Sequence, residues 1–129
     1  LSLHAANDKK RNEIMPINES NNIQALIEAL NYFYKKTGNE ITFEYILFKD
    51  FNDSEKDAME LTKIYRQVPA DLINVIEYNS IEQFPFDKPD EDGFERFVDI
   101  LQKNRVNVRV RRSRGKDIDA ACGQLANKG

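Results

Sequence analysis

Apolar residues recur at helical spacing in three separate segments of the chain. The first segment follows the polar stretch NESNN, where Ser20 or a neighbouring Asn is the expected N-cap and Gly38 the expected C-terminal stop. The second begins near Asn52, with Glu55 as the partner in a capping box. The third enters through Pro89, a residue suited to a first helical turn. The apolar stripes predicted for the three helices are Ile23, Leu26, Ile27, Leu30, Phe33 and Tyr34; Ala58, Leu61, Tyr65 and Val68; and Phe94, Phe97, Val98 and Leu101.

Three apolar extended segments alternate with these helices. Residues 41–48 and 72–78 are apolar on nearly both faces, which is typical of parallel strands covered by helices. From Val106 onward, valines alternate with polar residues that include Arg109 and Arg111, so this strand has one polar face. The order of the elements predicts an α/β fold built from βαβ units.

Polar residues follow the ends of the predicted strands, where ligands gather in parallel sheets. They are Asn52, Asn79, Ser2 and His4. The chain begins with apolar residues and without Met, which suggests an excised piece of a longer protein. His4 has no Cys or carboxylate at metal-ligand spacing, so spacing alone favours a strand-end histidine bonded to the backbone. Glu44 lies inside the most apolar strand and is expected to face a polar interior.

The composition is that of one folded domain. The chain has 129 residues, of which 40% are hydrophobic and 32% charged. No apolar run approaches the roughly 20 residues that span a bilayer, and no signal peptide is visible. The single cysteine cannot form an internal disulfide, so we expect a cytoplasmic protein with no membrane association.

Positive charge is concentrated near the end of a chain whose net charge is −3. Residues 105–116 contain six basic side chains and no acidic one. A run of charges is often a solvated surface. The alternative is a surface that contacts RNA, because arginine binds phosphates and stacks on bases. The residues concerned are Arg109, Arg111, Arg112 and Arg114.

Cys122 follows this basic run in the segment DIDAACGQLA. A lone cysteine is most often a small buried apolar residue. Nearby arginines would instead lower the pKa of its thiol and favour the reactive thiolate, and the small neighbours leave room for a substrate. A hydrolase that pairs Cys122 with His4 is a further, weaker hypothesis that depends on the fold bringing the two together.

Three segments of the chain resemble one family: SLHAANDKKRNEIMPIN, TFEYILFKDFNDS and VRRSRGKDIDAACGQLA. They are similar to the C-terminal part of the catalytic domain of radical-SAM RNA methyltransferases of the RlmN/Cfr type. The resemblance implies a single domain that forms the C-terminal half of a partial (β/α)6 barrel. Residues 1–104 would supply the last three barrel strands with their helices. Residues 105–129 would form an extension with a basic strand and a loop that carries the cysteine.

The resemblance also implies an enzyme that methylates C2 of adenine in 23S rRNA and tRNA. The motif cysteine of the family, which carries the methyl group as S-methylcysteine, corresponds to Cys122. The residues that contact S-adenosylmethionine correspond to Ser2, Leu3, His4 and Asn79. The cysteines that ligate the family's [4Fe–4S] cluster are absent from this sequence. We therefore expect no metal site in this chain and no activity from it alone.

The resemblance sets the expected partners and leaves two alternatives open. The partners are 23S rRNA, tRNA and an external electron donor that reduces the cluster, with no stable protein partner. One alternative is the Cfr-like branch, which methylates C8 of adenine. The other is a non-catalytic half barrel that binds RNA or protein. In this chain Ser80 stands where the family usually has proline, so the turn after Asn79 is expected to differ slightly.

Overall fold

The computed structural model describes residues 1–15, 22–78 and 87–111 and has an α/β fold. Its three strands form one parallel sheet in the order β1-β2-β3. The prediction of an α/β fold with a parallel sheet is confirmed. In chain order the elements are helix α1 (Asp8–Ile14), helix α2 (Ile23–Thr37), strand β1 (Thr42–Leu47), helix α3 (Glu55–Gln67), strand β2 (Leu72–Glu77), helix α4 (Glu91–Lys103) and strand β3 (Val108–Arg111).

Helices α2, α3 and α4 share one apolar core with one face of the sheet. Tyr45 of β1 stacks on Phe97 of α4, with 5.4 Å between the ring centroids. Burial of each such side chain stabilises the fold by roughly 1.5–3 kcal/mol. The predicted stripe of α4 is buried as expected. The fully buried members of this core include Leu3, Phe43, Tyr45, Leu47, Leu61, Ile73, Val75 and Leu101.

Helix α2 begins and ends as the sequence predicts, but its last two turns are exposed. The side chain of Asn22 accepts a hydrogen bond from the Ala25 amide, and Gly38 ends the helix in the left-handed conformation with φ 68°. The prediction that Phe33 and Tyr34 are buried is wrong, because they are 42% and 41% exposed. All of residues 31–40 are exposed, and Asn31 donates a hydrogen bond of 2.9 Å to the carbonyl of Gln67 at the end of α3.

The predicted start of helix α3 is wrong by two residues. The N-cap is Ser54, whose hydroxyl accepts a hydrogen bond from the Asp57 amide at 3.1 Å. The Asp57 carboxylate accepts one from the Ser54 amide in return, so the capping box uses Asp57 and not Glu55. Asn52 does not cap the helix, because its side chain is bonded to the backbone at the end of β1.

Helix α1 was not predicted, because seven mostly polar residues give little apolar periodicity. Asn7 caps it by accepting from the Lys10 amide at 2.9 Å. The helix is held to α3 by an ion pair of 2.7 Å between Lys10 and Asp57, and by a hydrogen bond of 3.0 Å from Asn7 to Glu60. Its last residue, Ile14, joins a second apolar cluster with Ala5, Ile46, Phe48, Ile76 and Tyr78.

Candidate functional site

The first four residues run parallel to β1 and end in a sharp turn. Ser2 forms a parallel bridge with Glu44, and the Leu3 amide donates to the Glu44 carbonyl at 2.9 Å. His4 then has a positive φ of 57°, and the Ala5 amide donates to the Leu3 carbonyl at 2.8 Å. A backbone hydrogen bond from residue i+2 to residue i, across a central residue with positive φ, defines the rare and strained form of the γ-turn. The predicted strand end therefore carries backbone strain of the type found at functional sites.

The His4 side chain is fully buried beside the end of β1. Its Nδ1 accepts a hydrogen bond from the Ile46 amide at 2.9 Å, which confirms the predicted histidine bonded to backbone. Because Nδ1 is the acceptor, the neutral ring carries its proton on Nε2. Nε2 is buried and has no hydrogen-bond partner among the described residues.

The environment of His4 keeps its imidazole neutral. Burial is the main cause, and the positive charge of Arg11 adds to it. Together they lower the pKa of His4 from 6.5 to about 3. The ring is therefore a hydrogen-bond donor through Nε2, and it carries no charge at neutral pH.

Asn52 is fully buried and joins the two segments that form the turn. Its Nδ2 donates to the His4 carbonyl at 2.9 Å and to the Ile46 carbonyl at 2.8 Å, while its Oδ1 accepts from the Phe48 amide at 2.7 Å. The Tyr45 hydroxyl donates to the Asn52 carbonyl at 2.9 Å. The sequence placed Asn52 at a strand end but did not reveal this role.

Arg11 supports the same segment from helix α1. Its Nε donates to the Leu3 carbonyl at 3.1 Å and its Nη2 to the Ser2 carbonyl at 3.4 Å. Burial lowers the pKa of Arg11, and nearby Asp8 opposes that shift. No signal in the sequence distinguished Arg11 from the lysines beside it, because only its partners on the folded backbone set it apart.

A row of polar side chains crosses the sheet on the face away from α2, α3 and α4. Ser2 pairs with Glu44, Glu44 with Asn74, and Asn74 with Arg109 in the strand registers. Neighbouring positions in such a row are about 4.8 Å apart. Glu44 and Asn74 are partly buried, Arg109 is exposed, and Asn74 Oδ1 is buried without a described partner. Glu44 therefore lies in a row of polar side chains, and its position in a polar interior stays a prediction.

The described residues contain only part of the predicted site. Leu3 lies in the core on the helix side of the sheet, so only its backbone is near the turn. Arg109 and Arg111 lie on the polar face of β3, as their alternation with valine predicted. Asn79, Arg112, Arg114 and Cys122 lie outside the described residues. The contacts predicted for all of these residues remain predictions.

Within residues 1–15, 22–78 and 87–111, no group of three or more His, Cys, Asp or Glu side chains could hold a metal ion. None of the helices in these ranges is long and apolar enough to cross a membrane. The strand-end turn and the polar row both carry groups that can hydrogen-bond to a ligand.

The chain is similar over nearly its whole length to curated bacterial proteins. It is 54% identical over 128 residues to the probable dual-specificity RNA methyltransferase RlmN of Cytophaga hutchinsonii, and 50% identical over 131 residues to that of Salinibacter ruber. These matches cover 99% and 100% of this chain and 35% of each relative. The chain thus spans about a third of their length, and the predicted resemblance is confirmed. No family model matches the chain.

Solved structures agree with this similarity. The crystal structure of a radical SAM methyltransferase from Sphaerobacter thermophilus matches 96% of this chain and 36% of its own chain, with a TM-score of 0.84 and 40% identity. A domain of a pyruvate-formate lyase-activating enzyme from Bacteroides vulgatus matches 86% of this chain and 65% of its own, with a TM-score of 0.67 and 12% identity. At that identity the second match shows a shared fold alone.

Proposed function

We propose that this RlmN-like chain is part of a radical-SAM enzyme that methylates C2 of adenine in 23S rRNA and tRNA. The observation that carries the proposal is similarity along the whole chain to proteins named as RNA methyltransferases. Because the chain spans only about a third of those relatives, the activity belongs to the longer protein. The strand-end turn supports the proposal, because it offers a buried hydrogen-bond donor where ligands of parallel sheets bind.

The barrel is the first part of the proposal. We infer that the bridged segment at Ser2, β1 and β2 are the last three strands of a partial (β/α)6 barrel, within residues 1–104, and that β3 begins the extension. Helices cover one face of the sheet, and the other carries Ser2, Glu44, Asn74 and Arg109. In a barrel of this kind the second face is the inner wall. Residues 105–129 would form the extension that carries Cys122.

The cofactor is the second part. S-adenosylmethionine has an amino-acid group, a ribose diol and an adenine, each of which needs hydrogen-bonding partners. The described residues fit this demand, because His4 Nε2–H is a buried donor without a partner and the polar row lies beside it. We propose that Ser2, His4 and Asn79 contact the cofactor with their side chains, and Leu3 with its backbone.

Cys122 is the third part of the proposal. When bound, the cofactor supplies a methyl group and, at a [4Fe–4S] cluster held by the rest of the protein, one-electron chemistry. The C2 carbon of adenine is not nucleophilic, so a sulfonium cannot methylate it directly. We propose that the Cys122 thiolate accepts the methyl group and holds it next to the base. This role rests on the sequence motif around Cys122.

The RNA contacts and the cellular setting complete the proposal. Arg109 and Arg111 lie on the polar face of β3, and the basic run continues through Arg112 and Arg114. Guanidinium groups bind phosphates with paired hydrogen bonds, so this surface suits an RNA backbone. We further propose a cytoplasmic enzyme whose cluster is reduced by an external electron donor.

The test is the modification state of RNA in cells. A strain that lacks adenine C2 methylation receives the intact protein that contains this chain, either unchanged or with Cys122→Ser. Digested 23S rRNA and tRNA are then analysed by mass spectrometry. We expect 2-methyladenosine with the unchanged protein and none with Cys122→Ser. The control Met59→Leu removes sulfur from an exposed side chain and should leave the modification intact.

Each other outcome identifies an alternative. If 8-methyladenosine forms, the protein belongs to the C8-methylating branch. If the intact, cluster-loaded protein produces no methyladenosine, the chain is a binding module. If Cys122→Ser retains full methylation, Cys122 does not carry the methyl group.

A further inference from the structure

Asn52 uses both of its side-chain donors and its amide oxygen on the strand-end turn. Both hydrogens of its Nδ2 have carbonyl acceptors, on His4 and Ile46, and its Oδ1 has the Phe48 amide as donor. These partners fix which end of the amide is nitrogen, because two acceptors and one donor face it. The side chain therefore acts as a clamp between the turn and the end of β1.

The clamp holds a backbone conformation that His4 does not favour. A non-glycine residue with positive φ is strained, and such residues persist where their surroundings fix them. The bond from Asn52 to the His4 carbonyl holds one side of the turn. The Ile46 amide holds the His4 ring at Nδ1, and Asn52 also holds the Ile46 carbonyl. Backbone and ring of His4 are thus fixed by one connected set of bonds.

This arrangement also fixes the position of the imidazole proton. Nδ1 faces a backbone N–H, so it cannot carry a proton without losing that bond. The nearby positive charge is the guanidinium of Arg11 in α1, which opposes an imidazolium. A sulfonium ligand would oppose it further, since like charges at a buried site disfavour the charged form.

We propose that Asn52 is a positioning residue that keeps His4 as a neutral donor and presents its Nε2–H to the sulfonium cofactor. The identity of the ligand rests on the proposed function, whereas the state of the His4 ring does not. Asn52 itself does not touch the cofactor. Its effect is exerted through the backbone conformation and the tautomer of His4.

The test measures the His4 ring directly. The intact protein is labelled with 15N-histidine, and the His4 signals are assigned by their loss in His4→Gln. We expect a bare Nδ1, a protonated Nε2 and no titration between about pH 5 and 8, because the pKa of His4 lies near 3. A proton on Nδ1, or titration near the ordinary histidine pKa, would overturn the proposal without any variant of Asn52.

The matched variants are Asn52→Asp and Thr62→Ala. Asn52→Asp keeps the shape of the side chain but removes both donors and places a carboxylate near the ring. Thr62→Ala removes a buried hydroxyl whose bond, to the Ala58 carbonyl, lies within α3. We expect Asn52→Asp to raise the pKa of His4 and to weaken S-adenosylmethionine binding about tenfold by calorimetry. The loss should be greater at pH 6 than at pH 8. Thr62→Ala should change neither property.

The outcomes separate this inference from the proposed function. Unchanged His4 nitrogen signals in Asn52→Asp would overturn the positioning role. Altered signals with unchanged affinity for S-adenosylmethionine would overturn the link between His4 and the cofactor. If the unchanged, cluster-loaded protein does not bind S-adenosylmethionine at all, the proposed function fails even where His4 has the expected tautomer. If Asn52→Asp does not fold, Tyr45→Phe loosens the same clamp more mildly, and the same criteria apply.

Discussion

Removal of the Tyr45 hydroxyl should destabilise the chain measurably, because this hydroxyl holds the clamp residue. It is buried and donates to the Asn52 carbonyl at 2.9 Å. Burial, with the negative charges of Asp57, Glu60 and Asp53 adding to it, raises the pKa of Tyr45 well above its usual value, so the hydroxyl keeps its proton. Tyr45→Phe leaves the ring in its stack with Phe97 and removes only the donor.

The magnitude follows from the group left behind. A buried acceptor that loses its donor costs about 1–3 kcal/mol, and a carbonyl with some freedom to relax lies near the lower end. We therefore expect Tyr45→Phe to lower the free energy of unfolding by about 1–2 kcal/mol. Total stabilities are about 5–15 kcal/mol, so this is a substantial part.

The assay is urea unfolding followed by circular dichroism, with Tyr32→Phe as the matched control. Tyr32 is 64% exposed, so loss of its hydroxyl should change stability by less than about 0.5 kcal/mol. The slope of free energy against urea should stay the same in both variants. A loss in Tyr45→Phe no greater than in Tyr32→Phe would show that this hydrogen bond does not stabilise the turn.

Three further predictions concern single residues. Because the pKa of folded His4 is about 3 and that of an unfolded histidine about 6.5, the folded state binds fewer protons between these values. The contribution of neutral His4 to the free energy of unfolding is complete above pH 6.5 and falls by up to about 1.4 kcal/mol per pH unit below it. The free energy of unfolding of His4→Gln, measured across the same pH range, should lack that slope. Gly38→Ala should destabilise by about 1 kcal/mol and Gly38→Asn by less, because φ is 68° and nothing crowds the position; thermal unfolding of both variants checks this order. Asp57→Ala should cost about 2 kcal/mol, since it removes the capping box and the ion pair to Lys10; Asp92→Ala, in the first turn of α4, is the exposed control.

The sequence predicted the elements whose signal is local. The continuous apolar runs predicted β1 and β2, and the helical spacing of apolar residues predicted α4. In each case the residues that form the pattern are the ones that the fold buries. Gly38 was recognised as a helix end because a left-handed residue there is most easily glycine. The polar face of β3 was recognised from strict alternation.

The missing parts depend on contacts between distant segments. Asn52 was interpreted as part of a helix start, since its partners, His4 and the end of β1, are known only once the chain is folded. Helix α1 has too few apolar residues for a periodic signal and is held by polar contacts with α3. The end of α2 was wrongly predicted to be buried although its apolar pattern is clear. Its stripe continues through Phe33, but no described element covers it.

The choice of residue at position 4 is the strongest physical argument that the strand-end turn has a function. Glycine would adopt the positive φ of this turn without strain, whereas a residue with a side chain is disfavoured there by roughly 1–2 kcal/mol. The chain instead has histidine, buries it completely and leaves its Nε2 without a described partner, which adds a second cost. Hydrogen bonds from Asn52 and Ile46 offset these costs but would be unnecessary if the position served only to turn the chain. The ligand contact proposed for His4 would satisfy the buried Nε2–H and so remove the second of these costs.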